Sequence, residues 1–385
     1  MSEPWVVSLL DKIDPAGLER LQRSKRFKVQ YEAPDPHAII VRSRKVPESA
    51  FEQPRLRCVA RAGSGVDNIP VAIATRKGIP VFNAPGANAN AVKEAVIGAM
   101  IALSRNLLPA SVSLQASGVV DRSRFVGMEI LGRTLGIVGL GQVGQRVAHA
   151  AVAMGMRVVG YDKYLSVPMA LRLPPEMTVA DDMDTVLHDA DILTLHVTLT
   201  EETRHMINSK SLAKMKRGVY IINFARGEVV NAQDMRAALD SGRVAGYATD
   251  FPDEAYRGCE RVLMTPHIGA STHEAQANCA EMAAEAVAEF LLHGSIRNSV
   301  NFPTLQLQHS RGACRLIYAN DNIPGMISNV SAVLASNGVN ILGMANQSND
   351  EVGYSIVDCA PAPSPKAVAA IRRLPGIRMV RLVEE

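Results

Sequence analysis

The stretch Thr134-Leu135-Gly136-Ile137-Val138-Gly139-Leu140-Gly141-Gln142-Val143-Gly144 constrains this chain more than any other. Leu135 to Val138 is an apolar, β-branched run that reads as a buried strand. It leads straight into Gly139-x-Gly141-x-x-Gly144, after which Gln145 to Met154 carries helical apolar spacing. A second short strand, Arg157 to Tyr161, ends at Asp162. Strand, glycine turn, helix, strand and acid form the setting that a dinucleotide-binding turn requires. Gly139 permits the tight turn, Gly141 admits a pyrophosphate close to the backbone, and Gly144 lets the helix pack on the strand. The free N–H groups and dipole of the helix start would hold the phosphates. Asp162, 18 residues after Gly144, can accept hydrogen bonds from an adenosine ribose. Its charge would repel a 2′-phosphate, which favours NAD over NADP. A glycine turn that only packs is the alternative.

The 385 residues suffice for two or three domains, and an apolar content of 47% supports ordinary cores. A net charge of +3 gives no reason to expect a nucleic acid or a membrane as partner. No apolar run reaches the length of a bilayer span. Met1-Ser2-Glu3-Pro4 lacks the basic and apolar regions of a secretory leader. The five cysteines, Cys58, Cys259, Cys279, Cys314 and Cys359, have no metal spacing. They are expected as reduced thiols in a cytoplasmic protein, with no bound metal.

The pattern before the glycine turn alternates strand and helix: Trp5–Leu10, Pro15–Leu21 (helical), Ala38–Val41, Leu56–Ala60, Ile69–Lys77 (helical), then a strand from Gly78 to Phe82. Such alternation implies a parallel, doubly wound sheet. Ala91–Leu103 and Leu107–Ser117 read as helices. Further strands recur at Ile192–Leu195, Val219–Ile222, Val244–Ala248 and Val262–Met264, and Ser271–Leu292 is a long helical pattern. After a linker, Cys314–Ala319, Pro324–Ser336, Ile341–Gln347, Val352–Cys359, Pro365–Arg372 and Met379–Leu382 spell β-α-β-β-α-β, a ferredoxin-like order. The expected fold class is α/β, with two doubly wound parallel-sheet (Rossmann-like) domains and a C-terminal ferredoxin-like βαββαβ domain. The expected boundaries are 1–99 with 268–300 for a discontinuous first domain, 100–267 for the dinucleotide domain, 301–312 for a linker and 313–385 for the last domain. A cleft would separate the first two. About 75 residues is small for a free-standing domain, so the last is expected to pair edge to edge with another copy, in a homo-oligomer.

A dinucleotide fold with a second domain suggests hydride transfer. Oxidation of a hydroxy acid needs a base, an orienter for the base and a cation for the carboxylate. Arg226, in Asn223-Phe224-Ala225-Arg226-Gly227-Glu228, follows a strand, where such sheets bind ligands. Its planar fork suits a carboxylate. His267, in Thr265-Pro266-His267-Ile268-Gly269-Ala270, suits proton transfer near neutrality, which contributes roughly 10²–10⁴-fold. A hydrogen-bonded core histidine is the bland alternative. Glu254 could orient the imidazole, or stand as a solvated loop acid. Arg42, Ser43 and Arg44 form an anion-binding cluster in the first domain, which Ser64-Gly65 and Asn88 could join; two arginines and a hydroxyl suit a phosphate. A solvated loop is the alternative there.

Four stretches, Arg61-Ala62-Gly63-Ser64-Gly65-Val66-Asp67-Asn68, Gly139 to Gly144, Asn223 to Gly227 and Thr265 to Thr272, stand in an order that resembles the D-isomer-specific 2-hydroxyacid dehydrogenases, the phosphoglycerate dehydrogenases in particular. The resemblance implies Arg226, Glu254 and His267 as the catalytic set. It implies cofactor contacts at Ser64, Gln142, Val143, Asp162, Phe224, Gly269 and Ala270, and a further one at Asp250. It implies substrate contacts at Arg42, Ser43, Arg44, Gly65 and Asn88. The reaction would be NAD-dependent oxidation of 3-phosphoglycerate to 3-phosphohydroxypyruvate, entering serine synthesis. The C-terminal unit resembles an ACT domain. Asn320 and Asn322, in Asn320-Asp321-Asn322-Ile323-Pro324-Gly325, and Asn340 match positions that bind a serine effector across a domain pair.

Three departures stand out. The family's Asp-Val-Phe is Thr249-Asp250-Phe251 here, and in a register without a gap Thr249 takes the place of its acid. Ala255 replaces a proline after Glu254, and Asn320 replaces a histidine at the head of the regulatory loop. Another D-2-hydroxy acid, such as glycerate or erythronate 4-phosphate, is the nearest alternative substrate, and a nucleotide-sensing corepressor-like protein is the alternative of another class. Removal of residues 311–385 is expected to leave folded dehydrogenase domains.

Overall fold

A computed structural model describes residues 3–118 and 121–383. The chain forms two compact units, Ala89–Ala275 and Met1–Asn88 with Gln276–Glu385. The first boundary lies about ten residues before the expected one. The reason is the helix α1 (Ala89–Ser104), whose Val96, Ala99 and Met100 are buried with Leu135, Ile137, Val147 and Ala148 of the dinucleotide unit.

Within Ala89–Ala275 the strands are β6 (Thr134–Val138), β7 (Arg157–Tyr161), β8 (Thr178–Val179), β9 (Ile192–Leu195), β10 (Val219–Asn223), β11 (Val244–Thr249) and β12 (Val262–Met264). They lie in the order β12-β11-β10-β9-β6-β7-β8. Every pairing is parallel. This is the doubly wound dinucleotide order with one extra edge strand, and ligands bind where such an order reverses, between β6 and β9. All five residues of β6 and all four of β9 are buried, as central parallel strands covered on both faces must be. Helix α2 (Leu107–Ser117) follows α1, and α3 (Gln142–Ala153) follows the glycine turn. β8 is two exposed residues long and leaves no periodic signal in the sequence.

In the other unit, β1 (Trp5–Leu9), β2 (Phe27–Tyr31), β3 (Ala38–Val41), β4 (Cys58–Arg61) and β5 (Val81–Phe82) form a parallel sheet in the order β2-β1-β3-β4-β5. β2 was not expected. Three of its five residues are exposed, because it is an edge strand. The C-terminal sheet is antiparallel, in the order β14-β15-β13-β16, from β13 (Cys314–Asp321), β14 (Asn340–Ser348), β15 (Val352–Ala360) and β16 (Ile377–Val383). With the helices Met326–Ser336 and Pro365–Arg372 it makes the expected ferredoxin-like βαββαβ fold.

This sheet is not held on a tether. Helix α4 (His273–His293) contributes Ala280, Ala283, Ala284, Val287, Phe290 and Leu291 to one core, shared with Val7, Leu9 and Ile40 of the first sheet and Ile317, Tyr354, Ile356 and Val383 of the last. The final carbonyls of a helix have no partner within it. Here Arg381 donates to the carbonyls of Phe290 and Leu291 (2.5 and 3.0 Å), Arg315 to that of His293 (3.0 Å), and the Tyr354 hydroxyl to that of Gly294 (2.6 Å). Arg315 also forms a two-pronged pair with Asp358 at 2.7 and 2.9 Å, both side chains at most 1% exposed. The segment expected as a linker is built in as well. Asn301 is buried and exchanges hydrogen bonds with Val81 N, Thr75 Oγ1 and Ile79 O at 2.8–3.0 Å.

Candidate active site

The glycine turn has the geometry its sequence predicts. Gly139 has φ +96°, and a Cβ there would lie 2.6 Å from the backbone of His196, the residue after β9. A Cβ on Gly144 would lie 2.1 Å from the carbonyl oxygen of Gly139, so only glycine lets α3 sit this close to the turn. Gly141 differs. Its backbone is extended, and a Cβ there would meet nothing within 4 Å. The protein leaves open space in front of Gly141, at a helix start that has no side-chain cap. That is the space a pyrophosphate needs. Asp162 accepts from the amides of Leu140 and Tyr164, both at 2.8 Å, and so ties the end of β7 to the turn. A carboxylate has about four acceptor positions, so two are left for a ribose diol. The residues fit a dinucleotide. His196, half-buried and bonded through Nε2 to Thr194 Oγ1 at 3.0 Å, is pushed down to about 3 by desolvation and is neutral at physiological pH. Gln142 is exposed and accepts from Arg146 at 3.0 Å, while Val143 is half-buried.

Arg226, Phe251 and His267 follow three neighbouring strands, β10, β11 and β12. Asn223, fully buried at the end of β10, shapes the first turn: Nδ2 donates to the carbonyl of Arg226 at 2.8 Å, and Oδ1 accepts from Ala225 N at 3.1 Å. Arg226 is half-buried, and its guanidinium donates to Ala225 O at 2.7 Å. Phe251 bridges the turns. Its Cβ comes within 3.2 Å of the position a Cβ on Gly227 would take, and its ring lies 4.9 Å from the exposed His267 ring. Phe224, Asp250 and Gly269, three expected cofactor residues, meet at one point: a Cβ on Gly269 would lie 2.8 Å from the Phe224 ring and 2.9 Å from Asp250 Oδ2. Ala270 is half-buried beside them.

Two expectations change here. The Asp250 carboxylate, expected at the cofactor, is engaged by the protein itself. The residue is 2% exposed, and it accepts from Thr265 Oγ1, Ile268 N and Gly269 N at 2.6, 2.8 and 2.7 Å. Glu254 does not touch His267. Its carboxylate accepts from Arg257 at 2.9 Å, with both side chains 79% exposed. Asp253 caps the short turn that carries Glu254, and the buried Tyr256 anchors that turn against Tyr247, ring to ring at 5.2 Å. Asn223, Thr265 and Tyr256 carry no signal as single residues in a sequence. Their roles are read only from what they touch.

In the other unit, Ser64 Oγ donates to Asn88 Oδ1 at 2.9 Å, so a residue expected at the cofactor and one expected at the substrate meet. Arg61 donates to the carbonyls of Arg42 and Gly65, holding the two loops together. The Arg42-Ser43-Arg44 backbone is an anion nest, but its anion is internal: Asp11 accepts all three amides at 2.8, 2.6 and 2.7 Å. Arg44 pairs with Glu32. Among the described residues, the Arg42 guanidinium makes no hydrogen bond or ion pair. In the C-terminal sheet, Asn320 is 4% exposed, donates to Asp321 O at 2.6 Å, and keeps Oδ1 buried without a partner among the described residues. Asn322 donates to Asn349 O at 2.8 Å. Asn340 is exposed at the far end, since it pairs with Ala360 whereas Asn320 pairs with Gly353.

Residues 97–269 match the family model described as "D-isomer specific 2-hydroxyacid dehydrogenase, NAD binding domain". A D-3-phosphoglycerate dehydrogenase of Haemophilus influenzae is 30% identical over 393 aligned positions, which cover 98% of this chain and 94% of that protein. The chain belongs to the D-isomer-specific 2-hydroxyacid dehydrogenase family. The dinucleotide of this family's domain is NAD. A D-3-phosphoglycerate dehydrogenase of Methanocaldococcus jannaschii is 40% identical over 279 residues, 70% of this chain, and the chain spans about half (53%) of that relative's length. A solved glyoxylate reductase from Paecilomyes thermophila superposes with a TM-score of 0.67 at 25% identity, covering 78% of this chain and 99% of that one. Among the described residues no single helix of this chain is long and apolar enough to cross a membrane. Only α1 and α2 taken together, across a 63° bend, reach that length and composition.

Proposed function

We propose that this protein is an NAD-dependent D-2-hydroxyacid dehydrogenase acting on 3-phosphoglycerate, at the entry to serine synthesis in the cytoplasm. The observation that carries the reading is the placement of Arg226, Phe251 and His267 after three adjacent strands of the sheet whose glycine turn fits NAD. NAD supplies the hydride acceptor when bound at that turn. His267, exposed and held by its backbone, takes the C2 hydroxyl proton and returns it in the reverse direction. Arg226 binds the substrate carboxylate through its planar fork. Glu254 orients the imidazole after it exchanges Arg257 for His267. An exposed ion pair is worth at most about 1 kcal/mol, so the exchange is cheap. The Arg42 guanidinium is assigned the phosphate, and Ser43, Gly65 and Asn88 are assigned to the substrate with it. The names of the relatives support the reaction.

One observation favours a second substrate class. Asp11 occupies the nest and Glu32 engages Arg44, which leaves one of the two expected arginines for a phosphate. An unphosphorylated acid, such as glycerate, needs neither. A homo-oligomer belongs to the reading as well: no residue of α2 is buried, and it exposes Leu107, Leu108, Val112 and Leu114.

The test is NADH consumption, followed by absorbance, with 3-phosphohydroxypyruvate and separately with hydroxypyruvate, each with and without serine. A preference for the phosphorylated acid supports the first reading; the reverse supports the second. Suppression by serine would support an effector site at Asn320, Asn322 and Asn340.

A further inference from the structure

We infer that Asp250 is a positioning residue that sets His267 in place from behind; the inference rests on the reading of His267 as the acid–base group. The Asp250 carboxylate grips the His267 turn on both sides. Oδ1 accepts from Thr265 Oγ1 at 2.6 Å, two residues before the histidine, and from Ile268 N at 2.8 Å, one residue after it. Oδ2 accepts from Gly269 N at 2.7 Å. The Asp250 carbonyl accepts from His267 N at 2.9 Å. Asp250 itself is tied to the sheet, through its N–H to Asn223 O at 3.2 Å. Four hydrogen bonds therefore converge from one residue on a five-residue turn.

The turn needs them. His267 has φ +56°, in the left-handed region. A residue with a Cβ is uncommon there and persists only when its surroundings over-determine it. An ionised carboxylate suits this task because it only accepts, and three donors face it. An asparagine would set an NH₂ group against one of those donors. The site is 2% exposed, so water does not replace a lost acceptor cheaply. Thr249 complements Asp250. Its hydroxyl accepts from Phe251 N at 3.1 Å, and Phe251 is the ring against which His267 lies. Successive residues thus fix the backbone of the histidine and the wall beside its ring.

The experiment compares full-length wild type, Asp250→Asn and Thr265→Val in steady-state reduction of the preferred 2-oxo acid. NADH affinity is measured separately by fluorescence titration. A misplacement of about 1 Å costs on the order of 10² in rate. Asp250→Asn is therefore expected to lower kcat roughly 10–100-fold, with the NADH Kd held within about twofold. The primary isotope effect with 4-deuterated NADH should rise, because the chemical step limits turnover more fully; a mere loss of folded protein would not move it. Thr265→Val removes one donor and should give the same signature at a smaller size. Tenfold weaker NADH binding with kcat retained would assign Asp250 to the cofactor and overturn the inference. Wild-type kcat in either variant would overturn it too. If Asp250→Asn fails to fold, Thr265→Val decides by the same split. A wild type inactive on every 2-oxo acid would sink the acid–base reading. Amide hydrogen exchange at residues 265–269 would then decide: faster exchange in Asp250→Asn with NADH binding kept supports the positioning role, and unchanged exchange overturns it.

Discussion

The seam between α4 and the C-terminal sheet and the turns above β10, β11 and β12 both depend on arginine and carboxylate, and they treat them oppositely. At the seam, Arg315 and Asp358 are sealed from water and saturated with partners. At the turns, Glu254 and Arg257 form a pair that water surrounds, and the His267 ring is exposed. A charge buried for architecture must have its hydrogen bonds filled, or it costs several kcal/mol. A group kept for chemistry must retain open valence. Asp250 shows that a sealed group and an open one can adjoin: it is buried and saturated itself, and its carbonyl accepts from the N–H of the exposed His267.

The largest expected effect lies at the seam. Removing residues 311–385 would strip Arg315, Tyr354 and Arg381 from the end of α4 and uncover Val7, Ala284 and Phe290. The truncated chain is expected to aggregate or unfold rather than remain a folded dehydrogenase, contrary to the expectation from sequence. Size-exclusion chromatography and circular dichroism of the soluble fraction check it, and a monodisperse folded product would refute it.

Asp358→Ala leaves Arg315 buried and unpaired, which costs about 3–5 kcal/mol, measurable by urea denaturation. The same pair predicts an acid dependence. Burial alone would raise the Asp358 carboxyl, but the hydrogen bonds from Arg315 and Ser310 N outweigh it and hold the group below its ordinary value. A depressed carboxyl contributes its stability above the unfolded value near 3.9 and loses it as pH falls through the folded value. Wild type should therefore lose this contribution below about pH 4, and Asp358→Ala should not.

At the open turns the effects fall on rate. His267→Ala should reduce turnover by roughly 10²–10⁴-fold with NADH binding unchanged, as stopped-flow and fluorescence titration would show. The smallest expected effect on the fold sharpens the comparison furthest. Gly141→Ala adds a methyl into open space, so its melting temperature should stay near that of wild type. NAD binding should nonetheless weaken at least about tenfold, because the methyl enters the space left for the pyrophosphate. A fall in melting temperature with affinity intact would mean that Gly141 serves packing alone.

Most of the architecture was legible because burial imposes periods on a sequence. β6 and β9, buried on both faces, read as continuous apolar runs, and the glycines at 139 and 144 answer to clashes that any side chain would make. β2 and β8 escaped because they are edge strands with solvated faces. That Arg226 and His267 follow strands was legible from the apolar runs before them. The roles of Asp250 and Glu254 were not, since two acids four residues apart look alike until one is found buried against three donors and the other paired in water. The seam was invisible for a related reason. Arginine is seldom an interior residue, and only the end of α4 makes Arg315 and Arg381 interior groups.

The unit that holds the C-terminal sheet is composed of the two ends of the chain, and Val7 and Val383 belong to one core. On a ribosome, residues 89–275 are complete and can close their own sheet while β1 to β5 still await α4 and the strands after it. Contacts of such long sequence separation form late. During that interval the apolar faces around Val7, Ile40 and Phe82 stand uncovered, which makes this half of the molecule the more aggregation-prone one during folding.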